Sequence, residues 1–144
     1  MVHVYRDKKN RTYGITQVAR STHCYVGWRV AIERDSATLQ AVLNAAPTAT
    51  HSYSDALPAY DLVGYSPGHH QRLPNTSQTY SVEADNAERR HYLARLARRS
   101  RCFSRAVAAL CDAVKLFVFA WNRRQWARRA HPQYPYHVRA FVYP

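Results

Sequence analysis

The chain has 144 residues, 21 Lys plus Arg against 9 Asp plus Glu, and a formal net charge of +12. That length makes one domain with a real core, and the basic excess, most of it after residue 88, points to a polyanionic partner, a solvated basic face being the plainer reading. The apolar run 116–121 is far too short to cross a bilayer, and the first residues lack a signal-peptide layout. Three cysteines without CxxC spacing and eight histidines without HxxxH or HExxH spacing support neither a disulfide framework nor a zinc site.

In chain order, Met1 to Tyr5 alternates apolar and polar residues and reads as the last part of a strand, followed by a charged turn from Arg6 to Arg11. Thr12 to Ala19 and Cys24 to Ile32 read as two further strands joined by the turn Arg20-Ser21-Thr22-His23. In the second of these, Cys24, Val26, Trp28, Val30 and Ile32 fall on one face, the period-two pattern of a half-buried strand. Short connections make the three an antiparallel meander.

Asp35 or Ser36 can cap a helix whose Leu39, Val42, Leu43 and Ala46 form one apolar stripe, stopped by Pro47. Thr48 to Ser54 is β-prone and follows a crossover long enough to return it to the sheet as a parallel strand, although TATHSYS is polar for a central position. Asp55 then stands at the C-terminal end of that strand, where open α/β sheets present ligand-binding residues. Ala56 to Tyr65 suggests a short helix broken at Pro58, Ser66-Pro67-Gly68 a loop, and His69 to Leu73 an edge strand.

Residues 75–131 contain no Gly or Pro, which permits one long helix or two stacked ones. Leu96, Phe103, Val107, Leu110, Val114, Phe117 and Trp121 keep near-heptad spacing, best read as core packing against the sheet. At the start of this segment Glu83, Asn86, Ala87 and Arg90 share one face, with Arg89, Arg90, Arg95, Arg98, Arg99 and Arg101 behind the carboxylate. Pro132 ends the helix, and an aromatic, basic tail follows.

The run Val82 to Arg105, with its Glu, Asn and Arg, the block Leu93-Ala94-Arg95-Leu96 and then Arg98-Arg99-Ser100 and Phe103-Ser104, resembles the catalytic-helix signature of the insertion sequence one family of DDE transposases. The resemblance extends back through Lys8-Lys9-Asn10 and Ser54-Asp55 to Tyr60, and forward to Trp121-Asn122-Arg123-Arg124-Gln125. It spans nearly the whole chain, with the helix block as its specific part. It implies an α/β, ribonuclease H-like domain over residues 1–144: a mixed sheet with three antiparallel strands, a parallel central strand and long C-terminal helices. It also implies metal-dependent DNA cleavage and strand transfer, with Mg2+ or Mn2+ as cofactor and double-stranded DNA as partner. A synaptic homodimer and a cytoplasmic, nucleoid-associated setting in a prokaryote are family expectations too.

By the same resemblance Asp55 is the second member of an acidic triad and Glu83 the third, both metal ligands and catalytic. Such a triad holds two divalent ions about 4 Å apart, one activating the attacking oxygen and one steadying the leaving oxygen. The first acid belongs in an Asp-Glu pair just ahead of Met1, so the chain reads as an N-terminally truncated catalytic domain without the family's zinc ribbon and helix-turn-helix. Asp7 lies eight or nine residues further on, about 25–30 Å away along a strand, and cannot replace it. Arg90 orients Glu83 or contacts phosphate; Lys8, Lys9, Arg95, Arg98 and Arg99 are backbone-grip candidates. Residue by residue the plainer readings stand beside these: Glu83 as a charge offsetting the helix dipole, Asp55 as a turn or cap residue. Two further functional readings stay open, a non-catalytic basic DNA-binding remnant and a small basic RNA-binding protein.

Overall fold

A computed structural model describes residues 2–5, 11–55, 57–72, 80–93, 106–134 and 136–142; for 2–5, 11, 80–83 and 85 it describes the backbone alone. Strands β1 (Val2–Tyr5), β2 (Arg11–Val18) and β3 (Tyr25–Ala31) form an antiparallel sheet in the order β1-β2-β3. Val2 pairs with Gly14 and Tyr5 with Arg11, so β1 covers only the first half of β2. On the other side β2 pairs with β3 from Tyr13–Ala31 to Val18–Tyr25. The meander expected from the short connections is therefore present.

The alternation predicted along β3 fails at one place. Gln17 pairs with Gly27 and Val18 with Tyr25, which leaves Val26 as an extra residue and shifts the register. A bulge of this kind reverses the side-chain sequence beyond it. Tyr25, Trp28 and Val30 consequently pack together on one side of the sheet, while Ile32 lies past the strand end and is exposed rather than sharing a buried face.

Helix α1 (Ser36–Asn44) starts where Asp35 Oδ1 accepts the Thr38 N–H at 2.9 Å, the N-cap anticipated from sequence. Its Leu39 and Val42 are buried against Ile15 and Val63. Gly27 allows this close approach: a Cβ there would stand 3.0 Å from the Val42 carbonyl oxygen and 3.2 Å from Ala46 Cβ.

Strand β4 (His51–Ser54) runs parallel to β5 (His69–Arg72), from His51–His69 to Ser54–Arg72, with a 3-10 turn of helix at Pro58–Leu62 between them. This corrects the expectation of β4 as the parallel central strand of one mixed sheet. Among the described residues the molecule has two sheets, one of three strands and one of two. A cavity of about 570 Å³, lined by the second half of β2 and by β4, stands where a single mixed sheet would be continuous. The polar face of β4 noted in the sequence fits a strand that has one neighbour rather than two.

The Gly- and Pro-free segment contributes two helices, α2 (Tyr80–Tyr92) and α3 (Val107–Ala130); Leu96 and Phe103 of the predicted stripe lie outside the described residues. Leu110, Val114, Phe117 and Trp121 are buried together with Tyr25 of β3, which makes the stripe a core seam on the face of the sheet opposite α1. The result is a mixed α/β domain with a helix on each side of the three-stranded sheet.

One side chain locks α3 to β3. Asn122 Oδ1 accepts the Tyr25 N–H at 2.8 Å and Asn122 Nδ2 donates to the Tyr25 carbonyl at 2.9 Å. The amide thus does on the outer edge of β3 what another strand would do. Next to it Trp121 Nε1 donates to the His23 carbonyl at 2.8 Å, which pins the β2–β3 turn where His23 has φ of 56°. Replacing Asn122 by Ala removes both of its partly buried hydrogen bonds to the Tyr25 backbone. The expected cost is about 1–3 kcal/mol of unfolding free energy, read as a lower urea midpoint with an unchanged slope.

Candidate functional site

The site grows from the C-terminal end of β4. Ser54, its last residue, is buried, and its Oγ lies 2.9 Å from His70 Nε2 on the adjoining strand β5. His70 stacks on Tyr65 with ring centroids 3.9 Å apart and planes 5° from parallel. Burial lowers the pKa of His70 from its ordinary value, Asp61 opposing and Arg72 reinforcing the change. Asp61 itself pairs with Arg72 at 2.8 Å.

Burial pushes the hydroxyls of Tyr60 and Tyr65 up to about 12, with Asp55 adding to the effect on Tyr60 and Asp61 to that on Tyr65. Both phenols therefore stay neutral near pH 7, able to donate or accept a hydrogen bond. Asp55, exposed at the strand end, accepts the Leu57 N–H at 3.3 Å through Oδ1, a turn-forming contact. The plainer reading of Asp55 is thus met, and a carboxylate in that position still faces the cavity.

Helix α2 closes the other side. Asn86 is buried and lines the same cavity as Asp55, Ser54, Tyr60 and Tyr65. Its Oδ1 accepts from Arg89 Nη2 at 2.8 Å. Arg89 is 1% exposed, its guanidinium lies 5.7 Å from the centre of the Tyr25 ring, and its Nε has no hydrogen-bond partner among the described residues. Burial lowers its pKa, with Tyr25 opposing. This corrects the reading of Arg89 as one of the arginines facing a polyanion: it is a core residue that carries its charge inside.

Of the residues singled out from sequence, Asp55 lines the cavity and Glu83 belongs to the first turn of α2, its side chain outside the described residues. Three residues along α2 from Glu83, Asn86 brings that helix to the cavity of Asp55. Arg90 is half-buried on α2, while Lys8, Lys9, Arg95, Arg98 and Arg99 lie outside the described residues. Among the described residues no three His, Cys, Asp or Glu side chains gather closely enough to hold a metal ion, and Asp55 is the single carboxylate on the cavity. Magnesium takes six oxygens in near-octahedral order. Among the described residues the cavity offers it one exposed carboxylate, while the Asn86 oxygen is engaged by Arg89.

A second concave surface, of about 470 Å³, lies at the C-terminal end of α3 and is lined by Tyr92, Arg124, Arg128, Tyr134, Tyr136 and His137, among others. Arg124 donates through Nε to the Tyr136 carbonyl at 2.7 Å and lies over the Trp121 ring. Arg128 and Arg129 are exposed beside it. Planar cations among aromatic rings suit both phosphate and base.

Sequence reasoning missed the Ser54–His70 pair and the burial of Tyr60 and Tyr65, because the parallel register of β4 and β5 is invisible without the fold. It also passed over Asn122, which stands among the quoted residues of the resemblance without a role. A buried Asn86–Arg89 pair was open to the same three-residue spacing that placed Glu83 with Asn86. No family model, curated protein or solved structure matches this chain.

Two predictions follow from the charge states. A His70 pKa lying below its ordinary 6.5 means that the unfolded chain binds the extra proton first, so stability falls as pH drops through that value. His70→Gln should flatten this part of the profile, seen as a smaller loss of Tm between pH 7.5 and 5.5. At Arg89, replacing a buried charge by an apolar chain of similar length removes its desolvation cost. Arg89→Met should be neutral or stabilising, while Arg89→Ala leaves a cavity and costs about 2–4 kcal/mol in chemical denaturation.

Proposed function

We propose that this chain is a DNA-acting domain of the DDE transposase kind, ribonuclease H-like in plan, that binds double-stranded DNA through its basic surface. The observation that carries the reading is the shared cavity of Asp55 at the end of β4 and Asn86 on α2. It brings the two segments that hold the acids of the resemblance to one place in the fold. The order of a three-stranded antiparallel sheet, a helix, the strand β4 and two later helices supports this reading, while β4 pairs with β5 in a sheet of its own.

The net charge of +12 and the exposed Arg128 and Arg129 supply a sequence-independent grip on phosphate. Arg90 on α2, with Arg95, Arg98, Arg99, Lys8 and Lys9 outside the described residues, would add to that grip. Cleavage and strand transfer with Mg2+ or Mn2+ needs donors beyond the described set, the Glu83 carboxylate first among them, and a homodimer would form around a pair of transposon ends. In this proposal the protein works on DNA in the cytoplasm of a prokaryote. No helix among the described residues is long and apolar enough to cross a membrane.

The thin donor set at the cavity favours a second reading, a basic domain of the same lineage that binds DNA without cutting it. One pair of measurements separates the two. Binding to duplex DNA should weaken steeply with salt, log K falling by about 0.9 per phosphate neutralised for each unit of log salt, and Arg128→Ala with Arg129→Ala should reduce that slope. Magnesium-dependent nicking of duplex DNA, abolished by Asp55→Ala and Glu83→Gln with DNA affinity retained, supports the enzyme. Salt-dependent binding without nicking, unchanged by either acid substitution, supports the non-catalytic form. A preference for RNA over duplex DNA in competition defeats both.

A further inference from the structure

Helix α3 has two apolar faces. One is the seam of Leu110, Val114, Phe117 and Trp121, buried against the sheet. The other points away from it: Leu116 is 48% exposed, Phe119 48% and Trp126 60%. At about 100° per residue these three fall within a sector of about 80° opposite the seam, spread over about 15 Å of helix axis. Ile32 and Leu62, exposed on other elements, stand singly, as apolar residues on a surface often do. A row of three on one helix face marks a place where something binds.

Cations are interleaved with this row. The Arg123 guanidinium lies 5.2 Å from the centre of the Phe119 ring, and that of Arg129 lies 5.4 Å from the centre of a Trp126 ring. Lys115, exposed, stands beside Leu116, and Asp112 is the one acid of α3. A second copy of the chain is a poor occupant, because it brings the same cations to meet these. The three half-exposed side chains also present only about 300 Å², against roughly 800 Å² per partner in a stable dimer. A nucleic-acid base stacking on either ring would have to displace the guanidinium that covers it. A lipid interface requires neither a matching groove nor a bare ring face. The apolar edges enter it, and the long cationic chains reach back to its phosphates.

We propose that the outer face of α3 docks on an anionic lipid surface. Leu116, Phe119 and Trp126 enter the boundary between headgroups and acyl chains, where aromatic rings are most at home, and Lys115, Arg123 and Arg129 meet the lipid phosphates. The helix lies along the surface with its buried seam still on the sheet, so docking requires no unfolding. The contact is peripheral, it is separate from the cavity at Asp55, and it holds whether or not the protein acts on DNA.

The test is co-sedimentation of the full chain with vesicles of phosphatidylcholine and phosphatidylserine. Binding by the wild type is expected, and Phe119→Ser with Trp126→Ser should weaken it on the order of tenfold at an unchanged urea midpoint. Lipid brominated near the headgroup end of its chains should quench the tryptophan emission of the bound wild type. Trp126→Phe, which keeps an apolar ring, should still bind while losing most of that quenching. Equal binding by the double Ser variant overturns the proposal, because net charge alone then holds the protein to the vesicle. Absence of binding, or binding without quenching, overturns it as well. A wild-type dimer that the Ser variant converts to a monomer makes the face an interface between copies and overturns it. Loss of affinity for a single-stranded oligonucleotide in the Ser variant, with vesicle binding unchanged, overturns it in favour of base stacking.

Discussion

The domain depends first on the contact of Asn122 with the backbone of Tyr25. An edge strand with unpaired N–H and C=O groups must be covered or it will pair with something else. Here a helix covers it, and a single carboxamide supplies both the donor and the acceptor that Tyr25 needs. Because the amide projects from α3, the bond also fixes where that helix sits along β3. Trp121 and Phe117 then meet the Tyr25 ring edge-on at 6.2 and 6.0 Å, and the core on that side of the sheet is built around these three rings. The bulge at Val26 belongs to the same device, since it turns Tyr25 toward α3 and keeps Trp28 and Val30 on the same side.

Arg89 extends this core toward the candidate site. Its guanidinium lies over Tyr25 and donates to Asn86, so the residue that anchors α3 and the residue that reaches the cavity are connected by one cation. A fully buried charge without a carboxylate partner among the described residues is a poor source of stability, because removing a cation from water costs more than a charge-assisted hydrogen bond to one amide and an aromatic face return. What it does supply is position. It holds Asn86 of α2 against the cavity whose far side carries Asp55.

On that far side the charge is managed differently. Ser54, His70, Tyr60 and Tyr65 form a polar group around the end of β4, with the His70 pKa lowered by burial and the phenols held protonated. Asp55 and the Asp61–Arg72 pair stand at its rim. Among the described residues the exposed arginines Arg128 and Arg129 stand at the end of α3, and the cavity itself is mostly apolar, with Asp55 as its one carboxylate.

Much of this was legible in the residues themselves. Period-two alternation marked three strands, the Asp35 cap and the Leu39–Val42 stripe marked α1, and the near-heptad run through Leu110, Val114, Phe117 and Trp121 marked the buried seam of α3, because each pattern reports which side of a local element meets water. Charge was legible in its sign but not in its placement: Arg89, within the basic run after residue 88, proved to be inside. The sequence by itself thus determined the elements, their buried faces and the sign of the surface. Only the tertiary structure decided that β4 pairs with β5 instead of joining the first sheet, that Ser54 meets His70, that Asn122 closes the edge of β3, and that Asp55 and Asn86 share a cavity. Those are contacts between residues 16 to 97 positions apart or across two separate elements, and they depend on register and docking, which no local periodicity records.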